Sequence, residues 1–234
     1  ANEGKVLIMV DGQEMNDLTF AGIDLNRYYI NEIKRIEIIR GPGSALYGGN
    51  AELGVINIIT KEGHDIDGVS VNAAYGQMGS VTGRRNVDIS AGKKFKDMEF
   101  AVSGMLGDGT KTDGKGLNNF IDGVVNDFSK EKGAGFTNQN LHGSFRYKDF
   151  ELKYLFNNYY TDFTYGPDLY RDQFMNHNAD LKYAFHINEK LTMTPRLQGT
   201  YARGYNTPGW ETMRSVDRVQ LSDNFKYIIT EDDF

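Results

Sequence analysis

The sequence predicts a small α+β segment followed by a run of antiparallel strands, each with one apolar and one polar face. Apolar residues come in compact blocks up to about residue 63, and beyond it they alternate with polar residues at a period of two. The links between the alternating segments also differ in length: most of those at one end are short turns, and most of those at the other are long and polar. We therefore expect two domains, residues 1–63 and residues 64–234.

The first domain contains three compact apolar blocks. They are Val6–Val10, Ile36–Ile39 and Val55–Ile59. Their lack of alternation is typical of short strands that are buried on both faces, and we expect them to form one mixed sheet. Residues 23–33 predict a helix-like connection between the first two blocks. Residues 41–43, Gly-Pro-Gly, predict a break before a short turn that ends at Tyr47.

The second domain contains eight candidate strands. Their apolar rows lie at Val69–Tyr75, Val87–Ala91, Met98–Val102, Leu141–Tyr147, Leu152–Phe156, Leu181–Ile187, Leu191–Tyr201 and Val219–Tyr227. The opposite rows are polar and include His142 and His186. Such rows would make a poor core for a soluble sandwich, but they suit the water-filled lumen of a membrane barrel.

The link lengths favour the same architecture. The links at residues 93–97, 148–149 and 188–190 are tight, whereas those at residues 106–135, 161–173 and 204–217 are long. Short turns at one end and long loops at the other are typical of outer-membrane barrels. A soluble antiparallel sheet with one solvated face shows the same alternation, so the pattern alone leaves both architectures open.

Composition excludes several classes of function. The chain has no cysteine, which removes disulfide scaffolds, thiolate zinc sites and thiol nucleophiles. A net charge of −6 argues against nucleic acid as a partner. Neither a G-x-S-x-G nor an H-E-x-x-H motif occurs, so we expect no enzyme, no catalytic residue, no resident metal and no cofactor. The longest apolar run, Val6–Val10, is far shorter than the roughly 20 residues of a membrane helix. The chain opens almost directly in a strand-like segment, from which we expect a mature or truncated product.

One ordered string is more specific than any of these patterns. It runs from Ile33 to Gly48, IKRIEIIRGPGSALYG, and is followed by Gly54–Lys61, GVINIITK. Together with Val10-Asp11-Gly12, these residues resemble the second half of the plug domain of TonB-dependent outer-membrane receptors. The resemblance covers about residues 6 to 61, and barrel-like strands follow it as that family requires.

The resemblance carries expectations about the whole receptor. It implies an α+β plug fragment followed by antiparallel transmembrane β-barrel strands, here about eight of the roughly 22 strands of such a barrel. Eight strands cannot enclose a plug, so they would form an open wall whose first and last strands have unpaired edges. The location would be the bacterial outer membrane.

The implied function is energy-coupled uptake of a scarce nutrient, foremost a ferric siderophore or another iron chelate. A TonB-type energy-coupling protein of the inner membrane would be the partner that opens the plug. The alternative is a surface adhesin or signalling receptor with the same architecture and no uptake role.

The resemblance also suggests functional residues. Arg40 matches a plug arginine that pairs with barrel acids, and Arg35 and Glu37 sit where neighbouring charged plug residues do, so these three are the expected plug–barrel lock. Asn16, Asp17, Thr19 and Phe20 fall where the apical plug loop faces substrate.

The long links supply the other expected ligand contacts, which are Tyr165, Tyr170, Arg171, Trp210 and Arg214. Aromatic rings and guanidinium groups suit an aromatic, anionic small-molecule metal chelate. In the alternative interpretation the tyrosines belong to an interfacial girdle and the arginines contact phosphates of lipopolysaccharide. Outer-membrane lipid and lipopolysaccharide are accordingly expected partners.

Overall fold

A computed structural model describes residues 5–16, 27–41, 43, 47, 51–117, 125–127, 134–165, 168–188, 192–207 and 216–228 of the chain. These residues form a four-stranded sheet, a nine-stranded sheet and a separate two-stranded ribbon. We call the four-stranded sheet the plug sheet and the nine-stranded sheet the wall. No helix in this part of the chain is long and apolar enough to cross a membrane.

The plug sheet consists of β1 (Val6–Val10), β2 (Gln13–Glu14), β3 (Ile33–Arg40) and β4 (Gly54–Thr60). The strand order is β2-β1-β4-β3, with β1 parallel to β4 and the other pairs antiparallel. The predicted mixed sheet is therefore confirmed. Of the predicted connection at residues 23–33, the structure describes residues 27–33, which contain a short 3-10 turn at Ile30–Glu32. Most of the predicted turn before Tyr47 lies outside the described residues.

Two apolar clusters cover the central strands of the plug sheet. Leu7, Met9, Ala51 and Val55 form one, and Val10, Met15, Ile58 and Leu155 form the other. Since Leu155 belongs to the wall, the second cluster joins the two sheets. As predicted, β1 is mostly buried.

The same prediction is wrong for β3. Seven of its eight residues are exposed, and Ile36 and Ile38 each expose more than half of their surface. The strand lies at the edge of the sheet and pairs only with β4 among the described strands. A compact apolar block shows that a strand can be covered on both faces, but it does not show which part of a protein covers it.

A short helix, α1 (Gly63–Ile66), links the plug sheet to the wall. A capping box starts the helix, in which the backbone N–H of Glu62 donates to Asp65 Oδ2 at 2.9 Å. Asp67, in the left-handed conformation with φ of 41°, ends it. Glycine is required at position 63, because a Cβ there would collide with the carbonyl oxygens of Lys93 and Phe100. The linker is therefore packed directly on the wall.

The wall is an antiparallel meander. In chain order the strands after the linker are β5 (Gly68–Met78), β6 (Val81–Lys94), β7 (Met98–Thr110), β8 (Lys115–Leu117), β9 (Val125–Asp127), β10 (Gly135–Tyr147), β11 (Phe150–Tyr165), β12 (Asp168–Tyr183), β13 (Phe185–His186), β14 (Thr192–Thr207) and β15 (Val216–Ile228). The ribbon β8–β9 belongs to the link between β7 and β10. The eight long wall strands coincide with the eight predicted ones.

The edges of the wall agree with the expectation for an incomplete barrel. Among the described strands β5 pairs only with β6, and β15 pairs only with β14. Both therefore leave one edge without a partner in this part of the chain. Lipid tolerates no open edge in a finished spanning sheet, so the wall requires further strands beyond both edges.

One predicted long link is wrong. Residues 161–173 are not a loop, because β11 continues to Tyr165 and β12 begins at Asp168, with these two residues opposite each other in the register. Threonine, tyrosine and phenylalanine favour strands even where the neighbouring residues are polar. A cross-strand ion pair also supports the extension, since Arg171 Nε lies 2.6 Å from Asp162 Oδ1.

The two faces of the wall decide between a membrane barrel and a soluble sheet. The face towards the plug sheet, here called the inner face, is polar and buried and includes Asp88, Ser103, Asn138, Asn157, Asn178 and Asp180. The outer face is apolar and exposed, for example at Val69 and Leu106, whose exposed fractions are 74% and 66%. A soluble sheet would bury its apolar face, so the wall is built for lipid outside and a polar lumen inside.

Candidate functional site: the plug–barrel interface

The residues of the plug and linker contact the inner face of the wall at three successive positions along β10 and β11. Arg27 lies nearest the end with the long links, Asp11 and Glu32 lie in the middle, and Glu62 and His64 lie nearest the tight turns. Each position uses different chemistry.

The first position is the Arg27 seat, formed by Arg27 with Asn140, Asn157, Tyr159 and Phe174. Arg27 is almost fully buried. Its guanidinium carbon lies 4.3 Å from the ring centre of Phe174 and 5.7 Å from that of Tyr159. The side-chain amides of Asn140 and Asn157 donate to its backbone carbonyl at 2.7 and 3.2 Å. Three adjacent wall strands therefore hold one plug residue through both its side chain and its backbone.

The second position is the central cluster, formed by Asp11, Glu32, His142 and Lys153. Asp11 occupies the turn after β1 with φ of 50°. Its carboxylate accepts hydrogen bonds from the backbone and hydroxyl of Thr60 at 3.1 and 2.6 Å. It also lies 3.3 Å from Lys153 Nζ and 3.6 Å from His142 Nε2. Burial opposes ionisation, but Lys153, His142 and Thr60 together hold the pKa of Asp11 below its ordinary value.

Glu32 approaches His142 from the other side. Its Oε1 lies 3.3 Å from His142 Nδ1, so the imidazole is placed between two plug carboxylates. Burial raises the pKa of Glu32 to about 8, and the nearby charge of Asp11 adds to this effect.

A barrel arginine extends the central cluster. Arg196 forms a bidentate pair with Asp180, both contacts being 2.8 Å, and its Nη2 also donates to the backbone carbonyl of Asp11 at 3.3 Å. The turn after β1 is thus held by both its carboxylate and its backbone.

The third position is the linker cluster, formed by Glu62, His64, Glu99, Arg146 and Glu151. The Arg146 guanidinium lies 3.0 Å from Glu62, 3.4 Å from Glu99 and 3.0 Å from Glu151. Glu99 also accepts from the backbone and the imidazole of His64 at 2.8 and 2.6 Å. The linker is therefore joined to the wall by ion pairs.

Part of the linker cluster also has the spacing of a metal site. Glu62, His64 and Glu99 each offer one ligand atom, and these atoms lie within 4.8 Å of one another. Arg146 already brings positive charge to both carboxylates. The geometry is therefore accounted for by ion pairing, and the expectation of no resident metal stays a prediction.

The predicted lock residues have different partners. Arg35 Nη2 lies 2.7 Å from Glu37 Oε1 on the same strand, and Glu37 also accepts a hydrogen bond from Asn57. Arg40 is exposed. No wall residue within the described ranges forms an ion pair with any of these three, which lie on the exposed strand β3. Their role as a lock to barrel strands stays a prediction.

The contacts that do join the plug to the wall were only partly visible in the sequence. Asp11 lies in the Val10-Asp11-Gly12 turn that belongs to the resemblance, and the alternation places His142 in the polar row. The spacing of Glu62 and Asp65 is that of a capping box, which could have located the linker helix. Arg27 has no comparable signal in the sequence.

The expected ligand residues fall into three groups. Asn16 holds β1, because its side chain accepts from the backbone N–H of Ile8 at 2.8 Å and donates to the carbonyl of Val6 at 2.9 Å. Tyr170 is buried on the inner face. Arg171 lies on the outer face beside Asp162. Tyr165 is the last residue of β11, but its side chain is not among those that the structure describes. The remaining five lie entirely outside the described residues: Asp17, Thr19, Phe20, Trp210 and Arg214.

The inner face also carries aromatic residues that are not among the predicted ligand contacts. Tyr159 is completely buried, and its ring stacks on that of Phe136 with a centre-to-centre distance of 6.5 Å. Tyr170 and Phe174 lie on the same face of the next strand. These aromatic residues surround the Arg27 seat near the end with the long links.

Comparison with known proteins relates the first part of the chain to a known family. Residues 1–55 match the family described as TonB-dependent Receptor Plug Domain. The vitamin B12 transporter BtuB of Vibrio vulnificus (strain CMCP6) is 41% identical over 75 residues, which are 32% of this chain and 12% of the transporter. These matches place residues 1–55 in the plug-domain family of TonB-dependent receptors.

Solved structures show the same fold at low sequence identity. A mutant of the ferric enterobactin receptor PfeA from Pseudomonas aeruginosa matches with a TM-score of 0.60 at 15% identity, over 95% of this chain and 38% of the receptor. The siderophore receptor PirA from Acinetobacter baumannii matches with a TM-score of 0.56 at 16% identity, over 94% of this chain and 37% of that receptor. The chain thus spans less than two fifths of each of these proteins.

The comparisons bear on several expectations from the sequence. The fold of a plug segment followed by barrel strands is confirmed, and so is the bacterial outer membrane as the location. The similar proteins are a transporter and receptors, which agrees with the expectation of no enzyme.

Proposed function

We propose that this chain is part of a TonB-dependent receptor that binds a scarce nutrient outside the cell and imports it across the outer membrane. The observation that carries the proposal is the seating of the plug sheet on the polar inner face of the wall. A plug that blocks a polar lumen must move for transport, and ion pairs that bridge plug and wall can be broken by a conformational change. A TonB-type energy-coupling protein of the inner membrane would supply the pull.

The proposed nutrient is a ferric siderophore or another iron chelate. Two of the similar solved structures are a ferric enterobactin receptor and a siderophore receptor. Tyr170 lies on the inner face near the long links, and an aromatic ring with a polar tip is suited to stacking on flat aromatic groups of a chelate. Cobalamin is the second candidate, because the curated relative with 41% identity over 75 residues is a vitamin B12 transporter.

Lipid is the proposed partner of the outer face. The exposed apolar row of the outer face is suited to acyl chains. The ion pair of Arg171 with Asp162 lies on the same face, beyond the end of this row and towards the long links. Lipopolysaccharide phosphates would meet guanidinium groups at that level. An adhesin or signalling receptor of the same architecture would share these features but would not import a ligand.

Growth of a deletion strain tests the proposal. The strain is complemented with the full-length gene or with an empty vector and is grown under iron limitation on a catecholate siderophore, a hydroxamate siderophore or haem. A parallel arm uses vitamin B12 in a cobalamin-dependent background. We expect the gene to restore growth on at least one iron chelate.

The other outcomes separate the candidates. Growth restored only by vitamin B12 would replace iron with cobalamin as the cargo. Equal growth with and without the gene in every arm would contradict an uptake role. Binding of a labelled chelate to cells that do not accumulate it would favour the signalling receptor.

A further inference from the structure

We propose that Arg27 is the positioning residue by which the barrel wall holds the plug at the end with the long links, and that its seat keeps the lumen closed to small solutes. The proposal rests on the proposed function only in assuming that the complete barrel contains this plug.

The side chain of Arg27 is buried against two aromatic rings of the wall. A buried guanidinium group has lost its water and needs compensation from the protein. Phe174 supplies it with a ring face at 4.3 Å, and Tyr159, which is itself completely buried, supplies a second at 5.7 Å. Cation–π contacts gain strength when they are desolvated, as this one is.

The backbone of Arg27 is also bound by the wall. Asn140 and Asn157, on two adjacent strands, both donate to its carbonyl oxygen. Asn157 is almost fully buried, and so is Asn138, whose Oδ1 accepts from both of these amides. The position of the acceptor is therefore fixed by an organised set of asparagines. Such a set recognises one point of the plug backbone and not merely a charge.

The chemistry of the seat differs from that of the other two positions. The central and linker clusters join plug carboxylates to His142, Lys153 and Arg146 of the wall, so salt, pH or a pull on the plug can weaken them. The Arg27 seat adds contacts of another kind, from two neutral amides to the backbone and from two aromatic rings to the side chain.

Conductance of the full-length receptor in planar bilayers tests the role of Arg27 without any transported ligand. The variants are Arg27→Ala, Arg27→Lys and Phe174→Leu, and the control is Lys5→Ala, an exposed plug cation that is not among the predicted lock residues. We expect open events to become about thirtyfold more frequent in Arg27→Ala, since a desolvated cation–π contact contributes about that factor. Arg27→Lys and Phe174→Leu should fall between Arg27→Ala and the wild type.

A control variant and a test of folding accompany the conductance measurement. Lys5→Ala should stay as closed as the wild type, and folding of each variant is checked by the heat-dependent shift of the barrel in gel electrophoresis. A folded Arg27→Ala receptor that is as closed as the wild type would overturn the proposal. If that variant does not fold, Phe174→Leu decides in the same way. A leak in a receptor that imports none of the tested nutrients would keep this inference and reject the proposed function.

Discussion

Nδ1 of His142, a barrel residue, lies 3.3 Å from Oε1 of Glu32, a plug residue, within the buried central cluster. Asp11 lies on the other side of the same imidazole at 3.6 Å. Two plug carboxylates therefore share one wall histidine. Lys153 lies 3.3 Å from Asp11 and balances the charge of that acid. This arrangement makes the seating of the plug dependent on which of its acids carries a proton.

Stability should fall with rising pH because of Glu32. Its pKa is raised from an ordinary value of 4.5 to about 8 in the folded protein, so its contribution to stability is complete below 4.5 and is lost as the pH rises through about 8. We expect the melting temperature of the full-length receptor to decline across this window and Glu32→Gln to flatten the decline. The upper limit of the effect at pH 7 is about 3 kcal/mol. Glu52→Gln, at an exposed plug acid outside the predicted lock, is the control and should follow the wild type. An unchanged slope in Glu32→Gln would contradict the assignment.

Asp11→Asn should be strongly destabilising. The substitution removes the nearer carboxylate partner of Lys153, at 3.3 Å, and leaves only Glu151 at 3.9 Å; breaking a buried pair costs about 3 to 5 kcal/mol. Asp67→Asn is the control, because Asp67 pairs with Lys93 in a mostly exposed position and should contribute less than about 1 kcal/mol. Thermal unfolding at pH 7 measures both. Because the pKa of Asp11 is lowered, its contribution should vanish as the wild type is taken to acid pH. Equal losses in the two variants would refute a special role for Asp11.

Gly63→Ala should loosen the linker from the wall. The added methyl group would collide with the carbonyl oxygens of Lys93 and Phe100, and overpacking of this kind costs about 1 to 3 kcal/mol. Gly143→Ala is the control, since a Cβ at that position meets no other atom within 4 Å. Limited proteolysis and thermal unfolding report the two effects. A Gly63→Ala receptor with wild-type stability would show that the linker can shift at no cost.

Tyr170 and Arg171 are adjacent but lie on opposite faces of β12. A ligand in the lumen can contact the first, whereas the second pairs with Asp162 on the outer face. We expect Tyr170→Ala to weaken binding of the proposed aromatic iron chelate to the full-length receptor about tenfold, and Arg171→Ala to leave it unchanged. Equilibrium binding to purified receptor measures both affinities. If Arg171→Ala weakened binding more than Tyr170→Ala, either the ligand would bind outside the lumen or the β11–β12 hairpin would have another register.

Trp210 and Arg214 together test the predicted contribution of the last long link. Replacing both should reduce the affinity for an aromatic iron chelate by about 2 to 4 kcal/mol if each anchors the ligand. The same binding measurement applies, with Arg35→Ala as a plug variant that should retain affinity. An unchanged affinity in the double variant would assign these two residues to the membrane interface.

The alternation of apolar residues was enough to predict the eight wall strands, because lipid outside and a polar lumen inside impose opposite demands on successive residues. It did not predict where strands end. Beyond the membrane both faces of a strand can be polar, so the extension of β11 to Tyr165 resembled a loop. The register from Asp162–Arg171 to Tyr165–Asp168 depends on cross-strand pairing, which a single sequence does not display.

The candidate site was less predictable than the fold. Family-like residues such as Arg35 and Glu37 were easy to select, yet their contacts depend on what lies over β3. Arg27 gave no signal, since a lone arginine outside a periodic segment is usually a solvated residue. Its burial arises only when Phe174 and Asn140, well over a hundred residues later in the chain, meet it in space.

The parallel pairing of β1 with β4 has a consequence for the order of folding. Val6 faces Gly54 in this pair, so a loop of nearly fifty residues must close before the strands meet, whereas each tight wall hairpin joins neighbours in the chain. Local hairpins form in microseconds, and non-local parallel pairing is slower. We expect the wall to assemble first and to act as a template on which the plug sheet completes its pairing.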